Sequence, residues 1–210
     1  MLTLVGKRIE RGQQRRMIGV LAYGSLITDP GAELEAVTVS RIDGISTPFA
    51  VEYARSSSGR KGAPTLVPVE QGGASVLATI LELDVSADEA ADIVYRREID
   101  KIGTGRRYFE PVDPTANTVI IDRFPDLEGF EVVLSTRIGA NIVPLTPDNL
   151  AKLAIKSARE ALLGKDGITY LMNAMRCGIV TPLTSAYEAA ILVETGTNDL
   201  VAALAVIRRQ

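Results

Sequence analysis

The chain has 210 residues, is 46% hydrophobic and carries a formal net charge of −3, which suits one domain with a real core and gives no charge excess pointing to a nucleic-acid surface. With no histidine and a single cysteine, Cys177, it cannot build a Ser/His/Asp triad, a His-based metalloprotease site, a multi-cysteine zinc site or an internal disulfide. Proton chemistry, if there is any, falls to a carboxylate, a tyrosine or a lysine.

Residues 1–16 hold Lys7, Arg8, Arg11, Arg15 and Arg16 with little apolar continuity, and are expected to form a basic leader outside the core, with Met17 as an alternative translation start. The leader lacks the apolar middle of a signal peptide, no stretch is long enough to span a bilayer, and there is one thiol, so the expected location is cytoplasmic with no membrane partner. Residues 18–27 (IGVLAYGSLI) then read as a buried strand that stops at Tyr23, Gly24, Ser25 and Leu26. Glycine there lets neighbouring amides approach a ligand closely, although these four residues by themselves favour a tight turn after a core strand.

Asp29, Pro30 and Gly31 mark a turn, and residues 37–42 and 48–55 read as strands. The stretch 56–63 (SSSGRKGA) is a basic, flexible loop, either solvated surface or the anion-binding edge of a pocket. Strands follow at 64–70 and 75–83, joined through Gly72 and Gly73, the second of them apolar on both faces and therefore central.

Ser86 to Glu89 spell a capping box, so a helix is expected from Ala87 to Glu98. Helical periodicity aligns Ala87, Ala91, Val94 and Glu98 in one narrow arc and leaves Arg96 and Arg97 off it as solvated charges. A carboxylate facing inward at a helix C-terminus meets desolvation and the negative end of the dipole, the setting in which a glutamate becomes a base near neutral pH. The competing reading pairs Glu98 with one of the adjacent arginines.

Gly103 and Gly105 break the chain before Tyr108; the GTG there lacks the third glycine and the strand-to-helix setting of a nucleotide fingerprint. Two last strands are expected at 117–124 and 130–138. From Thr146 the period becomes helical. One helix runs from Thr146–Pro147 with Leu150, Leu153, Ala154, Ala158, Ala161 and Leu162 on its apolar face, to Gly164. Others follow over Ile168 to Gly178, from near Pro182, and over residues 198–208. Cys177 and the methionines of this tail read as packing.

The Tyr23-Gly24-Ser25-Leu26 loop after the first strand, together with Glu98 at the end of a helix after a central strand, resembles the γ-glutamylcyclotransferase-like family. The following Pro30 and Gly31, and the Arg97-Glu98 pair, are similar to its glutathione-specific branch. The likeness covers roughly residues 17–138, with weaker agreement at Gly178, Pro182 and Tyr187.

The resemblance implies an α+β fold: a small mixed β-barrel over residues 17–145, with a helical C-terminal extension over 146–210 packed on it. It implies an enzyme of γ-glutamyl metabolism, independent of metal and cofactor, that releases an amine from a γ-glutamyl amine or peptide as 5-oxoproline forms. Glu98 would be the general acid/base. Tyr23, Gly24, Ser25 and Leu26 would cradle the substrate, with Tyr108 and Arg55 as further binding residues. The longer spacing from Glu98 to Tyr108 and the basic loop at Ser56 to Gly62 depart from the glutathione-specific branch and leave the substrate open. A non-catalytic small-molecule binding module on the same fold, with the tail serving a homo-oligomer or a partner, is the alternative.

Overall fold

Five consecutive buried residues, Ile18–Ala22, form β1, and no face of this strand meets water because it lies in the middle of a sheet covered on both sides. The structure, a computed structural model, describes residues 17–209. The basic leader expected over residues 1–16 lies outside the described residues.

The chain continues through α1 (Ser25–Thr28), α2 (Ala32–Val37), β2 (Thr38–Ser46), β3 (Val51–Ser57), β4 (Ala63–Pro68), β5 (Leu77–Leu83), α3 (Ala87–Glu98), β6 (Ile120–Pro125) and β7 (Val132–Arg137). Four helices end it: α4 (Pro147–Glu160), α5 (Gly167–Arg176), α6 (Thr184–Thr195) and α7 (Leu200–Ile207). The fold is α+β. Its main sheet has the order β2-β5-β1-β7-β6, and β3 and β4 form a separate two-stranded sheet. β1 runs antiparallel to β5, with Leu21 opposite Ile80, and parallel to β7, with Val20 opposite Leu134.

Among the described residues no ladder closes the sheet on itself, so the closed small barrel expected from the resemblance is not formed by strand pairing. Isolated hydrogen bonds tie β3 of the hairpin to the segment before β5 and to the segment after β7 instead. Val51 and Ala74 exchange bonds, and Ala54 O accepts from the Asn141 and Ile142 amides at 3.0 Å. The strands expected at 64–70 and 75–83, although joined through Gly72 and Gly73, do not pair with each other: β4 pairs with β3, and β5 lies in the main sheet. Gly73 packs so tightly against Val51 that a Cβ would come within 2.7 Å of its carbonyl oxygen, and this contact carries the chain from one sheet to the other.

α3 has the bounds that its capping pattern predicts, and Ser86 Oγ accepts from the Glu89 amide at 3.3 Å. It lays Ala90, Ala91, Ile93 and Val94 across the sheet against Val20, Leu81 and Leu134. α1 and α2 are too short for a 3.6-residue period to show; they flank the expected turn at Asp29, Pro30 and Gly31, and α2 ends at Val37, where the strand was expected to begin.

The tail helices cover the hairpin: Val51, Tyr53 and Leu66 share one core with Leu150, Ile168, Leu171 and Tyr187. Glu52, fully buried, joins them, because its carboxylate accepts from the Tyr53 and Leu183 amides and from Thr181 Oγ1 at 2.6 Å. α4 stops at Glu160, before the expected Gly164, so Leu162 falls beyond the buried face and is 76% exposed. No single helix among the described residues is long and apolar enough to cross a membrane.

Candidate functional site

β1 delivers the loop that follows it into the mouth of a cavity of about 600 Å³ lined by Tyr23, Ser25 and Leu26. The turn depends on Gly24, whose φ of 59° and ψ of −131° are closed to residues with a side chain. A Cβ there would also lie 2.5 Å from the Tyr170 hydroxyl. Because α1 begins at Ser25, the Ser25 and Leu26 amides belong to a first turn that has no intrahelical acceptor for them. Tyr23 Oη donates to Thr136 O at 3.2 Å, and its ring meets Phe49 edge-on at 5.7 Å. Burial first, and then the negative charge of Glu98, raise its pKa well above the ordinary tyrosine value, so it stays a neutral donor.

Glu98 lines the same cavity from the last turn of α3. The structure corrects how it gets there. Arg96 and Arg97, expected as solvated charges, have side chains 12% and 15% exposed, whereas that of Glu98 is 22% exposed. Arg96 pairs with Glu33 Oε2 at 2.7 Å and donates to Arg106 O. Arg97 donates to Glu98 Oε1 at 2.7 Å, to Asp29 O at 2.7 Å and to Ser25 Oγ at 3.2 Å. The glutamate is therefore a partly exposed carboxylate held in an ion pair, not a desolvated extension of the buried stripe. One arginine fastens it to the Tyr23–Leu26 loop.

The other two sequence candidates separate. Arg55 lines the cavity, but its NH1 donates to Ala116 O at 2.9 Å and Gly139 O at 2.6 Å, and its NH2 to Asn117 Oδ1 at 3.0 Å. That makes it a brace between β3 and the segments flanking β6 and β7. Tyr108 does not line the cavity. Its hydroxyl accepts from the Ile121 amide at 3.2 Å, lies 3.3 Å from Glu110 Oε2, and its ring packs on Tyr95.

Tyr170 of α5 was missed, although it enters the cavity beside Gly24. Its Oη accepts from the Leu66 amide at 3.1 Å, and the Arg60 guanidinium stands 5.2 Å from its ring centroid. Between Ile168 and Leu171 on an apolar helix it reads as core, and only the packing of α5 on β4 reveals its polar end. Arg60, in the loop whose basic character was visible, and Lys165 line the cavity as well. Among the described residues no group of three or more acidic or thiol side chains is placed to hold a metal ion.

The arrangement offers a carboxylate, backbone amides, a neutral hydroxyl donor and cationic side chains around a volume suited to a small molecule. No protein-family model matches this chain, and no curated protein does.

Proposed function

We propose that the protein cyclises a γ-glutamyl amine or peptide to 5-oxoproline and releases the amine. The observation that supports this is the shared cavity: the Tyr23–Leu26 loop and the Glu98 carboxylate, distant in sequence, line one space. In this reading Glu98 takes a proton from the substrate's α-ammonium, whose ordinary pKa is about 8, and frees the amine to attack. The new bond joins the α-nitrogen to the γ-carbonyl carbon. The bond from that carbon to the departing nitrogen breaks, and the two protons shed by the α-nitrogen, one before the attack and one as the new bond forms, pass by way of Glu98 to the departing nitrogen, which leaves as an ammonium. Ring closure within one molecule makes the attack effectively unimolecular, so no covalent enzyme intermediate is needed.

The loop amides at Ser25 and Leu26 would hold the substrate carboxylate or the developing oxyanion, and the Arg97 bridge would keep Glu98 in register with them. The small barrel of the family belongs to this proposal, with the β3–β4 hairpin, tied to the segments before β5 and after β7, as its closing wall. Purified protein incubated with a panel of γ-glutamyl compounds is expected to release 5-oxoproline from at least one. Glu98→Gln should lower that rate by about a hundredfold or more at unchanged melting temperature. Full activity in Glu98→Gln would remove the mechanism.

A second reading is favoured by the ion pair at Glu98, whose Oε1 is already engaged by Arg97 at 2.7 Å. There the site binds a small molecule without turning it over. Ligand binding that survives Glu98→Gln, with no 5-oxoproline from the wild type, would establish it.

A further inference from the structure

We propose that the helical extension completes the ligand site: the Tyr170 hydroxyl, with the Arg60 guanidinium laid against its ring, receives a carboxylate of the ligand. The γ-glutamyl identity of that ligand rests on the function proposed above; its negative charge is inferred from the cavity wall alone.

The Leu66 amide donates into Tyr170 Oη at 3.1 Å and occupies one acceptor position. The O–H is left to point elsewhere, and among the described residues no acceptor meets it. The side chain is buried, with the residue 6% exposed, and its hydroxyl lies against the backbone of the Tyr23–Leu26 loop at Gly24. Burial raises its pKa, so it remains a donor through the physiological range.

Cations around the cavity divide by what they already hold. Arg97 is taken up by Glu98, Ser25 and Asp29, and Arg55 by backbone carbonyls and Asn117. Arg60 and Lys165 have no carboxylate partner among the described residues, and of the two it is Arg60 whose charge faces the Tyr170 ring, 5.2 Å away. The tail positions it too, because Ser157 Oγ of α4 donates to Arg60 O at 2.6 Å and fixes the turn at Ser58–Arg60. A buried hydroxyl proton beside a cation without a counter-ion offers a hydrogen-bond donor and a positive charge together, which suits a carboxylate and penalises a cationic group at the same place, while the Glu98 carboxylate of the same cavity faces the substrate's ammonium in the function proposed above.

A γ-glutamyl compound has two candidate carboxylates, the α-carboxylate of the glutamyl half and any acid on the amine half. Calorimetric titration of the Glu98→Gln protein, in which turnover is suppressed, separates them. The probes are γ-glutamylglycine, γ-glutamylglycinamide, and the α-carboxamide analogue of γ-glutamylglycine. One amide is expected to bind roughly tenfold or more weakly than the parent. Adding Arg60→Gln, or Tyr170→Phe, should weaken the parent by a similar factor and leave that amide unchanged, which identifies the carboxylate received.

Equal binding of all three probes, binding of none, or a preference that persists in both variants would overturn the inference. Tyr170→Phe also orphans the Leu66 amide, so Arg60→Gln provides the result independent of stability. Carboxylate preference without 5-oxoproline release from the wild type would remove the cyclisation chemistry and leave the wall standing.

Discussion

Gly24 is the residue on which the site geometry turns, because it joins a backbone conformation closed to other residues with a contact that admits no Cβ. Gly24→Ala is expected to destabilise the protein by about 1–3 kcal/mol in denaturant unfolding, through strain at positive φ and displacement of Tyr170. A midpoint equal to wild type would show that the loop relaxes freely. The buried tyrosines give a second prediction. Tyr23, Tyr53, Tyr170 and Tyr187 all have pKa values raised chiefly by burial. Unfolded, each titrates near about 10, so above that pH the unfolded chain gives up protons that the folded one keeps. Their contribution is therefore intact below about pH 10 and is lost progressively as pH rises toward the folded values. In an alkaline absorbance titration these four phenols should ionise together with the loss of circular dichroism, whereas early, independent ionisation would contradict their burial.

At the scale of elements, function depends on which ends meet. The C-terminus of α3 reaches the start of α1 through Arg97, so Arg97→Met should lower turnover of a γ-glutamyl substrate at least tenfold by releasing Glu98 and the loop together. Retained turnover would show that Glu98 is held by other means. The helix bounds and the cap at Ser86 were legible, since a capping serine and an apolar stripe are local properties. The burial of Arg96 and Arg97 was not, because it arises from Glu33 of α2 and Asp29 beside α1, elements too short to announce themselves. Between β3 and the tail, the buried Glu52 serves as a polar lock. Glu52→Ala should cost about 3 kcal/mol, since the Leu183 amide and the Thr181 hydroxyl would lose their carboxylate partner while still buried. Chemical denaturation checks the value, and a change under about 0.5 kcal/mol would mean the site rehydrates.

For the whole molecule, the helical tail is part of the core, because Tyr53 of β3 packs edge-on against Tyr170 and Tyr187 at 6.4 and 5.3 Å. A chain ending at Leu145 would expose Val51, Tyr53 and Leu66, and is expected to show no cooperative thermal transition by circular dichroism. A sharp transition would make the tail an independent appendage. From sequence alone came the central buried strand, the bounds of α3, the helical tail and the pairing of a glycine loop with Glu98 as candidates. The first three are written in local periodicity, capping chemistry or backbone restriction, which neighbouring residues determine among themselves, whereas the pairing of the loop with Glu98 came from the resemblance. Tertiary structure alone decided that β4 leaves β5 for β3, that Arg55 is a brace, that Tyr108 points away, and that Tyr170 arrives beside Gly24 from 146 positions later in the chain. Those outcomes depend on which surfaces bury one another, and no local pattern records a partner so far away along the chain.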